Sequence, residues 1–187
     1  LHIIKNDLID LNNMIGIDSI KNAILNQLLY FLQNLHINKE HESDYKHTII
    51  YGPPGTGKTE IAEIIGKMYS KLGILKNNIF KKVTRNDLVA GYLGQTALKT
   101  TDVIKSCIGG CLFIDEAYSL GNSNDLDSFS KECIDTLCEN LSNHKNDLMV
   151  IIAGYEEDIN NLLFNINKGM DSRFIWRFKI ENYNAKN

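Results

Sequence analysis

The stretch that most constrains this chain is Gly52-Pro53-Pro54-Gly55-Thr56-Gly57-Lys58-Thr59. A short apolar run, Thr48-Ile49-Ile50-Tyr51, precedes it, and Glu60-Ile61-Ala62-Glu63-Ile64-Ile65 follows with helical spacing. Together they make a complete G-x-x-x-x-G-K-[ST] phosphate loop in its required setting of strand, turn and helix. Backbone N–H groups in such a turn point inward and form a nest for an anion. The helix behind it adds its positive N-terminal end. Gly55 and Gly57 allow backbone conformations and a phosphate approach that a Cβ would obstruct. Lys58 is expected to reach the β- and γ-phosphates, and the Thr59 hydroxyl to ligate Mg²⁺. Pro53, Pro54, Thr56 and Glu60 complete the expected cradle for ATP.

The rest of the chain alternates between two periodicities. Strands are predicted at 47–51, 79–83, 111–114, 148–153 and 176–180, and helices at 58–72, 96–107, 128–142 and 157–164. Strands alternating with helices predict an α/β fold, a five-stranded parallel sheet between helices. Residues 1–46 read as an N-terminal helical lead-in, and residues 47–187 as the αβα core. In the lead-in, Asp18-Ser19 is expected to cap a helix on which Ile20, Ile24, Leu28, Leu32 and Leu35 recur.

A second signal follows the apolar strand Cys111-Leu112-Phe113-Ile114, which delivers Asp115 and Glu116 at its C-terminal end. Open α/β sheets bind ligands at that end. Asp115 suits a metal-holding role, and Glu116 suits the water that attacks the γ-phosphate. Phosphoryl transfer also needs positive charge beyond Lys58 and the metal. The chain has three arginines, Arg85, Arg173 and Arg177. Arg173, just before the last strand, is the candidate finger, acting on a neighbouring subunit if its own site is out of reach. Arg177 sits within the strand pattern and reads as structural.

Composition narrows the partners. A net charge of −3 and the lack of a basic cluster give no reason to expect nucleic acid. No apolar run approaches a membrane span, and the first residues lack the layout of a secretory signal, so an intracellular, cytoplasmic setting is expected, with a plastid left open. Cys107, Cys111, Cys133 and Cys138 lack zinc-ligand spacing and read as buried thiols in a reducing compartment.

With these residues in hand, the sequence resembles the AAA+ ATPases, and most of all the branch of the CbbX/CfxQ red-type Rubisco activases and the SpoVK sporulation ATPases. The resemblance runs from Met14-Ile15-Gly16-Ile17-Asp18-Ser19-Ile20-Lys21 through Val83–Leu88 and Gly91-Tyr92-Leu93-Gly94-Gln95-Thr96-Ala97. It is especially close over Gly109–Leu120 and ends on Ile151-Ile152-Ala153-Gly154-Tyr155 and Ser172-Arg173-Phe174. It implies adenine contact at Ile15 and Gly16, and a hexameric ring with nucleotide at subunit interfaces. It implies a pore loop at Tyr92, Leu93 and Gly94 that grips a protein client, with Arg173 as a finger acting in trans. Where many relatives carry a polar sensor, this branch reads Ala153-Gly154-Tyr155, which points to Tyr155. Family members follow the last strand with a helical lid, and nothing up to Asn187 matches it. This chain is therefore expected to be the large ATPase subdomain. Two other functions share the same core: a nucleic-acid loader, and a nucleotide-gated scaffold with little turnover.

Overall fold

The computed structural model describes residues 2–35, 44–92, 94–121 and 128–181. Five short strands are β1 (Thr48–Tyr51), β2 (Phe80–Val83), β3 (Cys111–Ile114), β4 (Met149–Gly154) and β5 (Trp176–Lys179). They form one sheet in the order β2-β3-β4-β1-β5, and every pairing is parallel. Parallel neighbours require crossovers, which the helices supply on both faces. These are α1 (Lys5–Asn13), α2 (Asp18–Leu32), α3 (Lys58–Lys71), α4 (Arg85–Leu88), α5 (Thr96–Lys105), α6 (Ser128–Asn143), α7 (Glu156–Asp158) and α8 (Lys168–Arg173). None is long and apolar enough to cross a membrane among the described residues.

Strand alternation builds two cores. Ile50, Phe113, Cys111, Met149 and Ile151 face α1, α2 and α3. Ile49, Leu112, Ile114, Val150 and Ile152 face α5, α6 and α8. β1, β3 and β4 are buried along their whole length, as strands covered on both faces must be. Burying each large apolar side chain contributes about 1.5–3 kcal/mol. All four cysteines lie in these cores as free thiols.

Three local expectations differ from the structure. The helix α2 starts at Asp18 itself, with Ile17 at the cap position and no side-chain cap bond. Asp18 pairs with Lys21 at 2.7 Å instead. Leu35 lies beyond the helix end and is exposed, while Phe31 takes the buried place. The segment predicted as a helix over 157–164 is one turn of α7 followed by a π turn, Ile159–Phe164. A π turn widens the coil by one residue, which shifts Leu163 and Phe164 into the core. Against this segment packs a 3-10 turn, Ala117–Gly121, so closely that a Cβ on Gly121 would stand 1.6 Å from the Leu162 carbonyl oxygen.

His47, fully buried just before β1, ties three elements together. Its Nδ1 accepts from the Val150 N–H at 3.0 Å, and Nε2 lies 3.2 Å from the Leu141 carbonyl oxygen. Only the neutral ring with its proton on Nε2 satisfies both partners. Burial is the main cause that lowers its pKa to about 3, with the Lys46 and Arg173 charges adding to it. Above pH ~6.5 the ring is neutral in both folded and unfolded chains. As pH falls from 6.5 towards 3, only the unfolded chain takes up this proton, so stability is lost with a slope of about 1.4 kcal/mol per pH unit, ~5 kcal/mol at most. Urea melts across that range check it. His47→Gln removes about one proton from the slope.

Candidate functional site

The loop after β1 runs from Gly52 to Gly57 and opens α3 at Lys58. Gly55 and Gly57 have φ of 75° and 79°, the left-handed region that favours glycine. A Cβ on Gly57 would also press Met14 Cε at 3.0 Å. Thr56 is buried and donates its hydroxyl to the Pro53 carbonyl at 2.8 Å, which braces the turn from inside. The Gly52 N–H bonds the Gly154 carbonyl at 3.2 Å and anchors the loop to the end of β4.

A pocket of about 320 Å³ opens over this loop. Pro54, Gly55, Gly57, Lys58, Thr59 and Glu60 line one side, and Asp115, Glu116, Tyr118, Gly154 and Tyr155 line the other. The expected cradle and the expected acids therefore meet in one cleft at the C-terminal edge of the sheet. The Lys58 ammonium donates to the carbonyls of Gly52 at 2.9 Å and Pro53 at 2.5 Å. Burial lowers its pKa, and the charges of Asp115 and Glu116 oppose that shift.

Asp115 leaves β3 with its N–H on the Val83 carbonyl at 3.0 Å and accepts from the Glu116 N–H at 3.1 Å. Glu116 has φ of 49°. A left-handed glutamate costs on the order of 1–3 kcal/mol, and such strain gathers at functional sites. Here it turns the chain sharply from β3 into the turn Ala117–Gly121. Arg85 holds that turn, donating to the carbonyls of Ser119 and Leu120 at 3.0 Å each and to Ser130 Oγ at 2.7 Å. One arginine so ties α4 and α6 to the turn after the acids.

One contact was not anticipated. The Lys82 ammonium lies 2.7 Å from Asp115 Oδ2 and 3.2 Å from Thr59 Oγ1. Two hard oxygens thus converge on one cation, and this donor set fits Mg²⁺, which prefers oxygen ligands. Period-2 alternation in Phe80-Lys81-Lys82-Val83 held the clue, since it sends Lys82 to the face that carries α3.

The remaining expected residues lie around this cleft. Ile15, 70% exposed, lines an adjoining hollow with Met14, Gly55, Thr56, Gly57 and Glu60. Gly16, with φ of 78°, turns the chain between α1 and α2. Pro53 lines a groove on the other side with Tyr155, which is 42% exposed and tilted against Tyr118. Tyr92 is 74% exposed. Gly94 beside it has φ of 76°, and Leu93 lies outside the described residues. Arg173 does not line the phosphate pocket. Its Nε donates to Ser142 Oγ at 2.7 Å and its Nη1 to the Gly169 carbonyl at 2.6 Å. Arg177 pairs with Asp171 at 2.6 Å and covers the Phe164 ring, a structural role.

Several known proteins are similar to this chain. A cfxQ-like protein of Acanthamoeba polyphaga mimivirus is 44% identical over 183 residues, covering 98% of this chain and 44% of its own length. The stage V sporulation protein K of Bacillus subtilis is 43% identical over 128 residues, 68% of this chain and 39% of its own. The ESX-1 secretion system protein EccA1 of Mycobacterium tuberculosis is 43% identical over 143 residues, 75% of this chain and 25% of its own. The chain thus spans less than half the length of these relatives, which bear out the branch that its motif stretches resembled. Among solved structures, the FIGL-1 AAA domain in complex with ADP superposes with a TM-score of 0.62 at 19% identity, covering 90% of this chain and 54% of that one. The family profile described as ATPase family associated with various cellular activities matches residues 48–177. A phosphate loop and paired acids on a β2-β3-β4-β1-β5 sheet, matched by that profile over most of the sequence, make this chain a member of the AAA ATPase family.

Proposed function

We propose that this chain is the motor core of a ring-forming Mg²⁺-dependent ATP hydrolase that remodels a protein client through an aromatic pore loop. The observation that carries it is the meeting of Lys58, Thr59, Asp115 and Glu116 in one cleft over the phosphate loop. Loop N–H groups and Lys58 bind the triphosphate; Thr59 and Asp115 would hold the metal. Bound Mg²⁺ neutralises charge on the phosphate oxygens. Glu116 orients the lytic water and accepts its proton. Tyr155, at the mouth of the same cleft, is suited to sense the bound phosphates.

Two further features support assembly. Arg173 is held by Ser142 and Gly169 and does not line its own phosphate pocket, which suits action on a neighbour. Tyr92 exposes a large ring with few rotatable bonds, suited to gripping varied side chains without reading their sequence. The glycines on either side let that loop move with nucleotide state. The client is a polypeptide.

The test uses the full-length protein. ATP turnover per subunit rises with protein concentration across the range in which sedimentation detects assembly. An unfolded polypeptide stimulates that turnover, and Tyr92→Ala removes the stimulation while leaving basal turnover within about three-fold. Constant specific activity from a monomer would overturn the ring, and stimulation unchanged by Tyr92→Ala would overturn the pore loop.

A further inference from the structure

We propose that Lys82 is a resident cation that holds the metal seat when no metal is bound, so that it competes with Mg²⁺ for Thr59 and Asp115. The inference deepens the ATPase reading of this site and rests on it.

The geometry carries the argument. β2 lies at the sheet edge, and Lys82 is in register with Phe113, two residues before Asp115 on the neighbouring strand. Adjacent lysines diverge across the pleat: Lys81 reaches Ser106 at 3.0 Å, whereas Lys82 turns towards the start of α3. Its ammonium lies over the Phe113 ring, 5.8 Å from the ring centre. From there it reaches Asp115 Oδ2 at 2.7 Å and Thr59 Oγ1 at 3.2 Å. Asp115 Oδ1 is already engaged by the Glu116 N–H. The ammonium therefore takes lone pairs of the same two side chains that a divalent ion would use.

The two cations cannot share the seat. Mg²⁺ binds oxygen at roughly 2.0–2.1 Å and demands near-octahedral geometry, while the ammonium stands off at hydrogen-bond distance. Lys82 must swing out when the metal enters, and its half-exposed side chain has solvent to move into. Until then it neutralises Asp115 and keeps the aspartate and the threonine oriented together. The cost is a raised metal requirement. Exposed ion pairs of this kind are modest, so the competition amounts to about two- to five-fold in metal affinity.

The experiment reads metal binding and not turnover. The full-length protein is saturated with mant-ADP and titrated with Mn²⁺, with bound metal followed by electron paramagnetic resonance. Lys82→Met keeps an unbranched apolar side chain and removes the charge. It is expected to tighten Mn²⁺ binding about three-fold. Lys82→Gln is expected to shift the midpoint in the same direction, and Lys82→Arg, which restores a cation, to bring it back to the wild-type value. An unchanged or weakened Mn²⁺ affinity in both neutral variants would overturn the proposal, because Lys82 would then be a bystander or a support for the metal site. Failure of the wild-type protein to bind mant-ADP would overturn the nucleotide reading beneath it, a distinct result seen before any metal is added.

Discussion

Glu116→Gln in the full-length protein is expected to cut steady-state ATP turnover by about 10²–10⁴-fold, the usual worth of a positioned general base. Nucleotide affinity is expected to change little, because on this reading the loop N–H groups and Lys58 would hold the phosphates. Gln keeps the length and the carbonyl oxygen of Glu but cannot accept the proton of the lytic water. It also inherits the left-handed backbone at φ of 49°, so the local strain is the same in both proteins. Thermal stability is therefore expected to match within about 0.5 kcal/mol. Turnover assays, mant-ATP titration and a melt on the same preparation separate chemistry from folding. Retained turnover in a well-folded variant would remove Glu116 from the reaction and leave Asp115 to be considered as the base.

Arg173→Ala is expected to lower turnover by about 10³-fold or more, the scale seen when a trans-acting arginine is lost from phosphoryl transfer. The expectation follows from where Arg173 lies. Its guanidinium is held by Ser142 Oγ and the Gly169 carbonyl, and it does not line the phosphate pocket. To serve the pocket of its own subunit, Arg173 would have to give up these partners. A mixing experiment gives the decisive readout. Arg173→Ala subunits have intact acids, and Glu116→Gln subunits have an intact finger, so an interface between one of each contains a complete site. Mixing the two inactive proteins is expected to restore a fraction of the wild-type rate. A merely structural role for Arg173, through Ser142 and Gly169, would reduce turnover without any such rescue.

Both results bear on the same division of labour. On the proposed reading, the cleft of one subunit would supply binding and the proton acceptor, and the missing positive charge would come from its neighbour. Such a site would hydrolyse ATP only when assembled, which would couple turnover to the proposed ring. The proposed role of Lys82 would add a second condition, since a metal would have to displace it to reach Thr59 and Asp115.

What the sequence by itself determined was whatever depends on contiguous residues. The phosphate loop is local: its glycines, lysine and threonine take their places from φ and ψ of eight successive residues, so the motif could be read directly. The acids at the end of β3 were legible for the same reason, because an apolar strand of four residues delivers them at a known edge of the sheet. Alternating strands and helices likewise implied the parallel sheet, and the five predicted strands fall within a residue or two of those observed. Only the tertiary structure decided the contacts made across the chain. Lys82 meets Thr59 and Asp115 because β2 pairs with β3 and α3 lies over both, a juxtaposition of three separate segments. His47 is locked into one tautomer by residues about a hundred positions away. The π turn at Ile159–Phe164 answers to its packing against the turn at Gly121 and not to its own periodicity. Local conformational preferences are written in neighbouring residues, whereas charge pairing, burial and close packing depend on which distant segments the fold brings together.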